Sequence, residues 1–227
     1  MDGDGRLAGA NHQAFLQKTF DCSGDIAASI AGRAQGRAFP ARAVILRQGE
    51  SAGATFLLVD GRAHALLYAM EGQVVLLHEF LPGDLFGAIA CERPEPEEAE
   101  TLAVEDVRAL AFLAADFVAL IEMHGCVALA VSKMLLKRLR ALSARMAERT
   151  TLSAAGRVHA ELLRLARLGD GRTIAPAPVL AALAVRVHST RETVSRTINA
   201  LERRGIIRRA DDALIIVAPH RLEEMVV

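Results

Sequence analysis

The sequence predicts an α+β fold: an N-terminal antiparallel β-roll of jelly-roll type, a long central helix and a C-terminal winged helix-turn-helix. Three observations carry that prediction. Glycine-bearing turn signals at Gly49, Gly61, Gly72 and Gly83 recur 12, 11 and 11 residues apart, with short β-compatible runs between them. A narrow apolar seam at helical spacing then runs through residues 126–149. Two short helical patterns, a glycine and two strand-like runs close the chain.

Composition bounds what such a chain does. At 227 residues it is long enough for one large or two ordinary domains with real cores. The hydrophobic share of 52% is rich in alanine, and no uncharged apolar stretch reaches the roughly eighteen residues of a membrane span. No membrane partner is expected. The N-terminus, MDGDGRLAGANHQ, is acidic and glycine-bearing without an apolar segment, so no secretory signal is read and a cytoplasmic setting is expected. A formal net charge of zero conceals a division: residues 1–132 hold 9 Lys/Arg against 18 Asp/Glu, and residues 133–227 hold 18 against 9. Because phosphate contacts depend on local positive charge, the basic half is the candidate for a nucleic-acid partner. Cys22, Cys91 and Cys126 form neither a CxxC nor a four-ligand cluster, so neither a zinc site nor a disulfide framework is suggested and reduced thiols are expected.

Residues 1–36 are an N-terminal helical segment, with helices expected around 11–18 and 26–34. Residues 37–123 are the β-roll, its strands read in AVIL, TFLLV, HALLYAM, QVVLLHEF, TLAVEDV and RALAFL. Asp60-Gly61 suits a type I′ hairpin, whose two central residues both take positive φ. A roll of this kind either encloses a ligand or is filled by its own side chains.

The central helix, residues 124–150, follows a short helix at 117–123. Within it Val131, Leu135, Leu139, Leu142 and Met146 step by 4, 4, 3 and 4 residues, flanked by Lys137, Arg138, Arg140 and Arg145. A small roll cannot cover a seam this long, so pairing with a second copy is expected, against packing on its own chain alone. Thr151, Leu152 and Ser153 interrupt the helix, and Ser153 is placed to cap the next, residues 155–167.

Residues 151–227 are the winged helix-turn-helix. A first helix is read over 178–187, with Pro178 at its start and Leu180, Leu183 and Val187 inward. The second runs over 189–204. Val194, Ile198 and Leu201 form its apolar face, while Arg191, Glu192, Ser195, Arg196 and Asn199 share the opposite one. Those groups match base-edge chemistry: guanidinium for guanine, carboxylate for the cytosine amino group, amide for adenine. A merely solvated face has the same pattern, and Ser189 with Glu192 has capping-box spacing, so Glu192 carries either role. Gly205 stands where a left-handed cap is wanted, and residues 206–208 and 214–217 are read as wing strands.

Roll, long helix and winged helix in this order resemble the Crp/Fnr superfamily of bacterial transcription regulators, over nearly all of the chain after residue 36. The motif that carries most is RETVSR at residues 191–196, similar to the family's recognition-helix signature; the Gly49-Glu50 turn, Gly61, LPGDLFG at 81–87 and TLSAAGRV at 151–158 add to it. The resemblance implies that Arg191, Glu192 and Arg196 read bases in the major groove. It likewise implies that Thr193, Ser195 and the neighbouring Ser189, Thr190 and Asn199 position phosphates, and that Arg203 holds DNA of any sequence. The implied partner is double-stranded DNA, bound by a homodimer joined through the central helix on an inverted repeat whose half-sites lie roughly 34 Å apart. RNA polymerase is a further implied partner if the protein activates.

The sensory half departs from the family. Relatives that bind cyclic nucleotides follow the Phe86-Gly87 turn with a Glu for the ribose and later an Arg-Ser pair for the phosphate. Here Ala88 takes the first place, and Glu97 and Glu98 fall, within one or two residues, where Arg-Ser would stand. Carboxylates repel a phosphate, so no cyclic-AMP response is expected. Leu142 and Ser143 stand where relatives reach the nucleotide base across the dimer, and without the phosphate site Ser143 reads as an ordinary helix serine. An iron–sulfur cluster is not expected, since a lone Cys22 cannot replace the N-terminal cysteines of such relatives. Neither is haem, for which His78 and Cys91 are the conceivable ligands. The acidic run over 92–100 reads as a solvated loop, with a cationic ligand or metal as the alternative.

The chain is therefore expected to be a sequence-specific DNA-binding regulator. The competing class is a ligand-sensing or protein-interaction module whose winged helix does not bind DNA; the Arg191, Glu192, Arg196 set and the basic half argue against it. No nucleophile–base pair, metal triad or phosphate-binding glycine loop is apparent, so no enzyme is expected.

Overall fold

The computed structural model describes residues 9–68, 74–89 and 95–226. The turn expected at Glu71-Gly72, and Cys91, Glu92 and Arg93, lie outside them. Packing divides the chain into two units, one ending at Leu139 and one beginning at Arg140.

In the first unit, α1 (Gly9–Phe20) and α2 (Gly24–Ala31) precede eight strands: β1 (Gln35–Phe39), β2 (Val44–Leu46), β3 (Ala54–Asp60), β4 (Ala63–Tyr68), β5 (Val74–Phe80), β6 (Leu85–Gly87), β7 (Glu100–Ala103) and β8 (Val107–Leu113). Then follow α3 (Ala114–Met123) and α4 (Gly125–Thr151). The strands form two four-stranded antiparallel sheets, ordered β1-β8-β3-β6 and β2-β7-β4-β5. Every run expected to be a strand contributes one. β1 and β6 have no counterpart in the sequence reading, because QGRAF is mostly solvent-facing and LFG is only three residues long.

The inner strands of the first sheet, β3 and β8, are buried on both faces, which the alternation of side chains makes plain. Phe56 and Leu58 of β3 and Ala109 and Ala111 of β8 point into the roll, where they meet Phe80 and Phe86. Leu57, Leu110 and Phe112 point outward and pack under Leu16, Phe20, Ile30, Phe117, Leu120 and Val131 of the helices. This is why TFLLV and RALAFL read as unbroken apolar runs rather than alternating ones. Aromatic side chains pack inside the roll, with Phe86 stacked on Phe56 at 5.3 Å and tilted against Phe80 at 4.8 Å.

Asp60-Gly61 does not form the expected type I′ hairpin. β3 and β4 belong to different sheets, and Asp60 keeps negative φ, pairing with Arg108 across a bulge instead. Gly61 takes φ +86 because the chain crosses against the Asp106 carbonyl, which a Cβ would meet at 2.2 Å. The glycine serves a corner between sheets, not a turn within one.

The seam of α4 changes character along its length. Val131 is buried, while Leu135, Leu139, Leu142 and Met146 are 46, 60, 49 and 71% exposed. Among the described residues no single helix is long and apolar enough to cross a membrane.

The second unit contains the end of α4, α5 (Ala154–Ala166), β9 (Thr173–Ile174), α6 (Leu180–Arg186), α7 (Arg191–Arg203), β10 (Ile207–Ala210), β11 (Ala213–Ile216) and α8 (Pro219–Glu223). Ser153 caps α5, accepting the Gly156 N–H at 3.0 Å. One core joins Leu162 of α5, Leu183 of α6, Val194, Ile198 and Leu201 of α7, and Ile207, Leu214 and Ile216 of the wing. The wing has a third strand, β9, in the order β10-β11-β9; two residues are too few to leave a sequence pattern. Gly205, at φ +65, closes α7: its N–H reaches the Glu202 carbonyl at 2.9 Å, and that of Ile206 reaches Leu201 at 3.0 Å.

Candidate nucleic-acid interface

The turn between α6 and α7 corrects two details of the sequence reading. α6 begins at Leu180 behind Val179, so Pro178 precedes the helix rather than opening it. Ser189 is not the cap of α7. Its N–H returns to the Ala184 carbonyl at 3.0 Å after His188 turns at φ +49, which commits Ser189 to ending α6. Thr190 is the cap, its Oγ1 accepting the Thr193 N–H at 3.1 Å. Glu192 is thereby released from the capping box and stands exposed, with Arg196 3.9 Å away.

A helix capped at Thr190 and buried along Val194, Thr197, Ile198 and Leu201 fixes what the opposite side presents. Arg191, Glu192, Arg196, Asn199 and Arg203 are exposed, and Ser195 and Thr193 are half-buried. The structure thus brings together the whole predicted face on one helix. It also binds some of those groups internally. The hydroxyls of Thr190 and Thr193 lie 3.0 Å apart within the cap, and Asn199 Oδ1 accepts from Arg209 of the wing at 2.8 Å. Arg209 also meets Glu202 at 2.8 Å. The sequence reading does not single out Arg209, although the Arg208-Arg209 pair beside the recognition helix is visible in the chain.

The turn itself is held from behind by α5. Arg157 donates from Nε to the Val187 carbonyl at 2.9 Å, from Nη2 to His188 at 3.4 Å and from Nη1 to Leu152 at 3.1 Å. Beside it, Glu161 is only 3% exposed, contacted by Arg164 and lying 3.5 Å from Arg186. Arg164 also holds Glu148 of α4 at 2.8 Å. Burial pushes the Glu161 carboxyl upward while Arg164, Arg186 and Arg145 pull it down. Burial lowers His188, and Arg149, Arg157 and Arg145 lower it further. Sequence patterning gives no sign of this cluster, because its members look like solvated charges.

Five of the residues proposed for an effector, Phe86, Gly87, Ala88, Glu97 and Glu98, belong to the roll. Phe86 is buried in the roll, and Gly87 takes φ +82 where a Cβ would meet the Ala54 carbonyl at 2.5 Å. Ala88, 6% exposed, is tied down by Thr55 Oγ1, which donates to its carbonyl at 2.7 Å. Glu97 lines a small cavity of about 140 Å³ with Leu46, Arg47, Glu50 and Ser51, and Leu46 lies 3.5 Å from where a Gly87 Cβ would stand. Burial, then Glu98, raise its carboxyl. The cation on that cavity among the described residues is Arg47, which already lies 4.0 Å from Glu50. Leu142 and Ser143 are exposed on α4. His78 lies against Phe80, ring to ring at 4.8 Å, and Cys91 is outside the described residues.

A β-roll, a long helix and a winged helix-turn-helix with a basic, exposed recognition face define a class: the DNA-binding regulators built from a sensory roll and a winged helix. Residues 36–124 match the cyclic nucleotide-binding domain, and residues 156–225 match the Crp-like helix-turn-helix domain. The cyclic AMP receptor protein of Thermus thermophilus is 32% identical over 192 residues, covering 84% of this chain and 88% of that protein. The chain belongs to the Crp/Fnr family of DNA-binding transcription regulators. Its fold also matches a CooA mutant from Carboxydothermus hydrogenoformans (TM-score 0.77, 19% identity, 93% of this chain and 95% of that one). FixK2 from Bradyrhizobium japonicum is similar as well (TM-score 0.74, 20% identity, 86% and 98%).

Proposed function

We propose that the protein acts as a homodimer that reads an inverted-repeat operator through α7, under the control of an effector other than cyclic AMP. The observation that carries this reading is the exposed set Arg191, Glu192 and Arg196 on a helix whose cap and buried face leave that side outward. Arg191 and Arg196 suit guanine, Glu192 suits the cytosine amino group, and Arg203, Thr193 and Ser195 suit phosphates. The exposed leucines at 135, 139 and 142 support pairing of two α4 helices. Ala88 and the Glu50–Glu97 cavity support the loss of the nucleotide site. The test is a mobility shift with selected and scrambled duplexes across a salt series. The reading requires selective binding that weakens steeply with salt; binding indifferent to sequence sinks it. Isothermal titration with cyclic AMP is expected to give no heat beyond dilution.

A further inference from the structure

A second cavity opens beside the roll, against the helices that flank it. It is a groove of about 550 Å³ between α1, the turn leading into β6 and the first half of α4. That volume is in the range of small-molecule sites. Its floor is apolar, from Phe15, Leu85, Leu129 and Met134, and its rim carries Lys18, Lys133 and Lys137.

The rim is electrostatically incomplete. Lys133 and Lys137 stand one turn apart on α4, a spacing at which like charges repel. All three lysines are exposed, and none makes an ion pair among the described residues. Of the two carboxylates nearby, Asp84 is engaged, its Oδ2 accepting the Leu81 N–H at 2.9 Å. Asp84 keeps its charge in that bond, so two carboxylates stand against three ammonium groups. The floor holds a second unfinished feature. The Leu85 N–H donates to the Met134 sulfur at 3.3 Å, a weak acceptor in place of oxygen.

Dimerisation through the seam leaves the groove open. At 100° per residue, roughly the turn of an α-helix, Lys133 and Lys137 lie on the side of α4 opposite Leu135 and Leu139.

We propose that this groove binds an amphipathic anion, a small molecule with an apolar body on Phe15, Leu129 and Met134 and a carboxylate or phosphate head between Lys18, Lys133 and Lys137. It deepens the reading of the roll as the sensory unit by naming the effector's chemical class. Binding would press on Leu85, whose carbonyl accepts from Arg138 of α4 and whose N–H meets Met134, also of α4. The site therefore touches the dimer helix directly.

The test is isothermal titration of the full-length protein with decanoate and with decyl phosphate below their self-association, beside decanol and decyltrimethylammonium. At least one anion is expected to bind once per chain, with the preferred anion naming the head group. Decanol is expected to bind at least tenfold more weakly and the cation not at all. The Lys133→Ala, Lys137→Ala double variant, at exposed positions, is expected to lose at least tenfold, and Ala130→Phe to block the groove. Equal binding of decanol or the cation, undiminished binding by the lysine variant, or no binding of either anion overturns the proposal. The same preparations are assayed on operator DNA: selective DNA binding without anion binding refutes the groove, and the converse refutes the regulator reading alone.

Discussion

Arg209 of the wing donates to Oδ1 of Asn199 at 2.8 Å, which ties the amide that would face an adenine to the wing and takes one of its carbonyl's two acceptor positions. We propose that Asn199 braces the wing against the recognition helix rather than reading a base. Asn199→Ala is expected to leave the selected sequence unchanged while lowering stability by about 1 kcal/mol, measured by parallel binding-site selection and urea denaturation. A base preference lost at one symmetric pair of positions would return Asn199 to the reading set.

The buried Glu161 carboxylate lies among Arg164, Arg186 and Arg145, with Glu148 a second carboxylate on Arg164. Neutralising it leaves these guanidinium groups facing one carboxylate fewer, and losing a hydrogen bond between charged groups in this way costs about 2 kcal/mol. Glu161→Gln is expected to lower the unfolding free energy by that order in chemical denaturation. A change below about 0.5 kcal/mol, the level of an exposed pair, would show the cluster to be solvated.

Leu139 and Leu142 are exposed in the single chain, so changing them removes nothing from its own core. Leu139→Glu with Leu142→Glu is expected to convert a dimer to a monomer in sedimentation velocity, with circular dichroism unchanged and operator affinity down by a hundredfold or more. Each buried leucine contributes about 2 kcal/mol to such an interface. A variant that still sediments as a dimer would place the interface elsewhere.

Acid is expected to weaken the winged-helix unit through its histidines. Burial holds His188 below its ordinary value, helped by three arginines, and burial likewise lowers His159, against the opposing pull of the Met225 carbonyl at 3.1 Å. The unfolded imidazole takes its proton near pH 6.5, roughly, and the folded one only at lower pH. The stability these groups contribute is thus complete above that pH and lost as pH falls toward the folded value. His188→Asn preserves the turn at φ +49, which asparagine tolerates, and removes one titrating group. Between pH 7.5 and 5.5 the variant is expected to lose less stability than the parent; parallel losses would contradict the assignment.

Much of this was legible in the sequence, for identifiable reasons. The strands announced themselves because glycine punctuates them, and α7 because Val194, Ile198 and Leu201 keep one helical face. The role of Gly61 was not legible: Asp60-Gly61 looks like a hairpin unless one knows that the chain passes the Asp106 carbonyl. Ser189 and Thr190 are both good caps, and only the path of the chain through His188 decides between them. The Arg157 and Glu161 contacts join residues distant in sequence, and charge alone carries no sign of burial.

The central claim is that α7 reads bases, and it is tested most directly by selecting sites from random duplex DNA with the protein and with Glu192→Ala. The account predicts an inverted repeat with half-sites about one helical turn apart, and loss of preference at one base pair in each half-site in the variant. An unchanged set of selected sequences, or no enriched sequence for the parent protein, would contradict it.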